Sequence, residues 1–259
     1  MGYFYSKESQ FHIDSCQERI VGSYLDKFLY TKDLFSFVQR IEDKDTQRSG
    51  VDIILTSQSL GLANAKVDEK CALSFINCDI PTFAFELSSK KIGPDNKPVE
   101  PFQRKEGWLL NNNLNTEYYL LTWLFACPIE KKEHFPSLQE QDIISSLFVL
   151  IKKNSIVNIL SQKGYTSDKL RETDAYLRSI ALSNGDSACC DAARKISKSG
   201  DVKFSYTFSR AERPINVLLY RSEMIAYAQA FGVVSRGLTT IVSKNGNHYV
   251  PKEYYHGLP

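Results

Sequence analysis

Two short stretches of this sequence hold the residue types for hydrolytic chemistry. "VDIILT" carries Asp52, and "AKVDEKCALSFI" carries Asp68, Glu69 and Lys70 in a row. Both are otherwise rich in β-branched and apolar residues, the composition of strands. "VDIIL" is apolar enough to read as a strand covered on both faces. A lone aspartate there needs a partner or a cation. If the two stretches pair antiparallel around a loop centred near residue 60, Asp52 stands opposite Asp68 or its neighbour. Directly opposed residues on one face have Cβ atoms roughly 4.5–5.5 Å apart. Alternation puts Asp68 and Lys70 on one face and Glu69 on the other. Two carboxylates that close repel each other, and a divalent cation with oxygen ligands relieves the repulsion. A lysine beside them can orient or deprotonate a water and stabilise phosphate charge. This is the equipment for metal-assisted phosphodiester hydrolysis.

The elements that must position these residues follow from periodicity. "SCQERIVGSYLDKFLY" (residues 15–30) has Ile20, Val21, Tyr24, Leu25, Phe28 and Leu29 at helical spacing, and Ser15 with Glu18 fits a capping box. Strands are expected at Val51–Thr56, at the Asp68 stretch and at "IPTFAFELS", with "SSKKIGPDNKPVEP" a long polar loop after them. "GWLL" and "EYYLLTWLFA" flank "NNNLN" as a further hairpin. Beyond "CPIEKKEHFP", residues 137–162 carry Ile143, Ile144, Leu147, Phe148 and Ile151 at helical spacing, and 167–182 form a second helix. "VKFSYTF" and "INVLLY" are late strands, and "SEMIAYAQAFG" is a helix after them. The order implies mixed α and β around a central sheet.

Asp52, followed 16 positions later by Asp68-Glu69-Lys70, resembles the PD-(D/E)XK nuclease superfamily, the restriction-endonuclease-like fold. Its members hold Mg²⁺ with an Asp on one core strand and a (D/E)-x-K on the next, often with a Glu from an upstream helix. The resemblance implies Asp52 and Asp68 as metal ligands, Lys70 as the catalytic lysine, and Glu18 as an accessory ligand or supporting group. Gly50-Val51 stand where many members carry Pro. Mg²⁺ is the implied cofactor, with Mn²⁺ able to substitute, and double-stranded DNA the implied substrate.

The tripeptide alone is common. (D/E)-x-K occurs five times, ending at Lys44, Lys70, Lys97, Lys132 and Lys203, and only the one ending at Lys70 sits inside an apolar strand. A structural reading of the same residues makes Asp68 and Lys70 a solvated surface salt bridge worth under about 1 kcal/mol. It makes Glu18 a helix cap and Asp52 a turn residue at a strand edge. Glu86 interrupts another apolar strand, either as a further ligand or as a strand-end cap. Glu69 is expected to pair with a helix residue or solvent. "CCDAARKISKSGDVK" offers phosphate contacts, and "NGNHYVPKEYY" mixes aromatic, amide and basic groups suited to stacking on bases.

The rest of the chain bounds these readings. It has 259 residues, 42% hydrophobic and 24% charged, enough for a sizeable core. No apolar run reaches 18 residues, and "MGYFYSKESQ" lacks a signal-peptide core, so no membrane span or secretory leader is expected. Six scattered cysteines without a C-x-x-C pair suit a reducing, cytoplasmic setting. No nucleotide-binding glycine loop or G-x-S-x-G elbow occurs. Residues 1–150 carry 16 Lys+Arg against 21 Asp+Glu, and residues 151–259 carry 16 against 9. An acidic front and basic back suit a protein that holds a cation with one part and a polyanion with the other. The expectation is an α/β protein. Residues 1–130 form a nuclease core with a central mixed sheet flanked by helices. Residues 131–259 form a mainly helical, basic portion for nucleic-acid binding or dimerisation. The expected function is Mg²⁺-dependent hydrolysis of DNA by a type II restriction-like endonuclease, or another defence or repair nuclease, with a homodimer suited to cutting both strands. The alternative is a non-catalytic nucleic-acid-binding or structural protein with the same fold.

Overall fold

A computed structural model describes residues 11–95, 97–99, 102–127 and 138–250. The N-terminal "MGYFYSKESQ" and the "PKEYY" of the C-terminal aromatic stretch lie outside the described residues. The chain folds as two compact units interleaved in sequence. One is built from 13–81, 113–156 and 221–259, and the other from 82–112, 157–220 and the first twelve residues. These units run across residue 130 instead of meeting there.

The larger unit holds an eight-stranded mixed sheet. Its strands are β1 (Phe37–Arg40), β2 (Ile53–Ser57), β3 (Leu62–Cys71), β6 (Tyr118–Ala126), β7 (Ile143–Lys152), β10 (Ala230–Ser235), β11 (Thr240–Ser243) and β12 (His248–Tyr249), in that spatial order. β3 runs parallel to β6 and every other pairing is antiparallel. Helix α1 (Phe11–Phe28) lays Val21, Tyr24 and Leu25 on one face of the sheet. There they meet Ile53, Leu55, Val67, Leu120, Phe148 and Leu150 in one apolar core. The Tyr24 hydroxyl anchors the helix by donating to the Val234 carbonyl at 3.0 Å. α1 begins at Phe11, so Ser15 lies inside it and cannot be its N-cap. The capping box expected from Ser15 and Glu18 is therefore absent, and Glu18 stands on the helix flank.

The smaller unit holds a separate antiparallel sheet in the order β5 (Arg104–Glu106), β4 (Thr82–Lys90), β9 (Ile215–Tyr220), β8 (Lys203–Tyr206). Helices α4 (Ser167–Ser183) and α5 (Asp186–Ser199) belong to it. Thr166 caps α4 by accepting from the Lys169 amide. "FAFELS" is thus a strand as expected, but not one of the sheet that carries Asp52 and Asp68.

Three further expectations are corrected. "SSLFVLI" is part of strand β7, and the helix α3 (Lys153–Gln162) starts only after it. An apolar run covered on both faces has no strict alternation, so helical and strand spacing cannot be told apart in it. "GWLL" is a turn and pairs with nothing across "NNNLN"; β6 pairs with β3 and β7 instead. "SEMIAYAQAFG" splits into the short helix α6 (Arg221–Tyr227) and the start of β10. The back of the chain is consequently mixed, not mainly helical: it supplies α3 to α6 but also β7 to β12.

Candidate active site

The hairpin of β2 and β3 decides where the acidic residues fall. Ile53 pairs with Val67, Ile54 with Lys66 and Leu55 with Ala65, so the register is centred on residue 60 and brings Asp52 opposite Asp68. The Asp52 amide donates to the Val67 carbonyl at 2.9 Å, which extends the ladder one step past β2. Asp52 Oδ2 accepts from the Glu69 amide at 2.8 Å. The Asp52 and Asp68 carboxyl groups lie within hydrogen-bonding reach of each other, with Asp52 donating when protonated. Both point to the same side of the sheet.

Lys70 completes this group. Its Nζ donates to Asp68 Oδ1 at 2.5 Å. Asp68 is 3% exposed, while the Lys70 side chain keeps 26% of its surface open to solvent. A pair of this kind is not the solvated surface bridge of the structural reading. Burial raises the Asp68 pKa, opposed by the Lys70 charge. Burial raises Asp52 to about 7, with Lys70 working against it and the charges of Asp68 and Glu69 adding to it. Burial alone would lower Lys70, but the charges of Asp68, Asp52 and Glu18 outweigh it and hold the ammonium protonated well above its ordinary value.

Glu18 reaches the same site from α1. It is exposed, and its charge acts on Asp68, Lys70 and Cys71. So the hairpin brings Asp52, Asp68 and Lys70 together, while Glu18 acts on Asp68 and Lys70 through its charge.

Glu69 turns to the opposite face, as alternation requires. It accepts from Arg40 Nη1 at 2.6 Å and from the Tyr30 hydroxyl at 2.6 Å. Arg40 in turn grips Asp26 of α1 at 2.5 Å. Glu86 lies in the smaller unit, where the Ser89 hydroxyl donates to it at 3.2 Å. It belongs to the other sheet and not to the hairpin site. "CCDAARKISKS" is helix α5, with Cys189 and Ala193 buried and Arg194 paired to Asp191 one turn away.

One residue near the site had no signal in the sequence. Tyr119 of β6 pairs with Asp68 across the parallel ladder and is fully buried. Burial and the Asp68 charge raise its pKa. In "EYYLLTWLFA" nothing separates Tyr119 from Tyr118, because only the register of β3 against β6 puts one of them beside the aspartate.

Among the described residues, no three His, Cys, Asp or Glu side chains stand close enough together to enclose a metal ion. The donor set nevertheless fits Mg²⁺, which is held through one or two carboxylates and completes its shell with water and substrate phosphate oxygens. Asp52 and Asp68 supply that pair of hard oxygen donors, side by side on the hairpin. Among the described residues no helix is long and apolar enough to cross a membrane. No protein-family model matches the chain, and no curated protein or solved structure is significantly similar to it.

Proposed function

We propose that the protein is a metal-dependent nuclease that hydrolyses phosphodiester bonds in double-stranded DNA, in the manner of a restriction-like or other defence or repair enzyme. The observation that carries the reading is the meeting of Asp52, Asp68 and Lys70 on one hairpin. A buried carboxylate pair, an ammonium and a third acid at the rim are costly to assemble for structure alone. The choice of DNA rests on the resemblance of "D…DEK" to the PD-(D/E)XK nucleases.

In this reading Asp52 and Asp68 would hold Mg²⁺, with Glu18 as an accessory ligand or supporting group. The bound ion would polarise the scissile phosphate and lower the pKa of a nearby water. The remaining steps belong to the chain. Burial raises both Asp52 and Asp68, so any proton they hold must leave before both serve as ligands. Lys70, held protonated, does not act as the base. Its Nζ–H groups orient the attacking water and stabilise the charge that grows on the phosphoryl oxygens. The water oxygen bonds to phosphorus as the bond from phosphorus to the leaving sugar oxygen breaks. The water's proton passes to solvent, and the leaving oxygen takes one from solvent or from Lys70.

Plasmid cleavage with Mg²⁺ tests this. Lys70→Ala is expected to lose about 10²–10³ in rate, the usual cost of removing one donor aimed at transition-state charge. Wild-type cleavage that survives undiminished in Lys70→Ala contradicts the mechanism.

A further inference from the structure

Helix α1 carries Gly22 and Asp26, spaced by four, on the face that meets Arg40. Residues so spaced lie on one face of a helix. Arg40, the last residue of β1, reaches that face. Its Nε donates to Asp26 Oδ2 at 2.8 Å, and Nη2 donates to the Gly22 carbonyl at 3.3 Å. The same guanidinium holds Glu69 on β3 through both carboxylate oxygens, at 2.6 and 3.3 Å. Tyr30, just beyond α1, donates to Glu69 Oε1 at 2.6 Å. The Arg40 side chain is 27% exposed and Glu69 13%, so these ion pairs are partly shielded from water and more than a surface embellishment.

Gly22 makes room for this grip. A Cβ added there would stand 3.2 Å from Arg40 Nη1 and 3.3 Å from its guanidinium carbon. The guanidinium could move aside only by loosening its bonds to Asp26 and Glu69. Glycine in a helix interior costs about 1 kcal/mol relative to alanine, so the site retains an unfavourable residue where it admits Arg40.

We infer that Arg40 is a positioning residue: by tying Glu69 to α1 it fixes the stretch of β3 that carries Asp68 and Lys70. This rests on the nuclease reading. Glu69 is the neighbour of both Asp68 and Lys70 on β3. The clamp therefore fixes this stretch of β3 from the side of the sheet opposite the chemistry. Lysine cannot replace the fork, because an ammonium lacks the planar donors that hold two carboxylates at once.

A double-mutant cycle separates this role from simple stabilisation. Arg40→Met and Arg40→Lys are each expected to lower kcat for plasmid cleavage about 10–100-fold, the range for residues that orient metal-site groups. KM should stay near the wild-type value, and Mn²⁺ binding at Asp52 and Asp68 should persist in calorimetry. Gly22→Ala, which favours the helix, should lower kcat in the same way without lowering the melting temperature. In a Glu69→Gln background, Arg40→Met should add little, because its effect runs through Glu69. Effects that multiply independently in the double mutant overturn the inference, as does full kcat in Gly22→Ala. A wild-type protein that neither binds Mn²⁺ nor cleaves overturns the nuclease reading, and this inference with it. Wild-type activity with independent effects overturns the inference alone.

Discussion

Asp52 carries a pKa of about 7 because burial penalises its charge more than Lys70 favours it. Such a carboxyl binds its proton more tightly in the fold than in the unfolded chain, where its value is near 3.8. Its contribution to stability is therefore fully present below about pH 4 and is lost as pH rises through about 7. Metal-free protein should become less stable across that window, and Asp52→Asn should flatten the trend; urea midpoints at pH 5 and pH 8 would show it. If Mg²⁺ binds there as proposed, it would oppose the loss, and its stabilising effect should be larger at pH 8 than at pH 5. The smaller unit offers a contrast without chemistry. Asp174 of α4 is fully buried and bridges Arg104, at 2.8 Å, to the Ser88 hydroxyl, at 2.5 Å. Arg178 donates to the same Ser88 oxygen at 3.0 Å. Asp174→Ala strands part of that network and should cost about 3–5 kcal/mol in equilibrium unfolding.

The β2–β3 hairpin is the element on which the site depends, and it was the most legible in sequence. Two apolar strands with one turn between them allow a register centred only near residue 60, and a shift by one would turn Asp68 into the core face. The β3 burial pattern shows the result: Ala65 and Val67 face the α1 core, while Asp68 is buried on the other side. The resemblance names Glu18 as an accessory ligand from the upstream helix; only its part in a capping box fails, because α1 begins at Phe11. The clamp by Arg40 was not legible, because it joins three elements whose relative placement no local spacing encodes. The same limit explains β7 and β4. Buried strands such as "SSLFVLI" lack alternation, and a strand's sequence does not say which of two sheets it joins. β6, buried along almost its whole length, is the centre of the larger sheet. Leu120→Ala there, within the α1-side core, should destabilise by about 2–5 kcal/mol in urea unfolding.

At the scale of the molecule, charge divides by unit as well as by chain half, though less steeply. Residues 82–112 and 157–220 carry 15 Lys+Arg against 11 Asp+Glu, while the whole chain is only +2. The acidic site and the basic remainder thus fall in different compact units, the charge separation expected of a protein that holds a cation in one place and a polyanion with another. DNA binding by the intact chain should weaken at least about tenfold between 50 and 200 mM salt, as counterion release requires when several phosphates are contacted. Fluorescence anisotropy with a labelled duplex measures that slope. The central claim, that Asp52 and Asp68 form a divalent-cation site, is tested most directly by calorimetric titration of Mn²⁺ into wild type and Asp68→Ala at pH 8. A saturable heat in wild type that disappears in Asp68→Ala is the expected result. No binding by wild type, or equal binding by the two proteins, contradicts it.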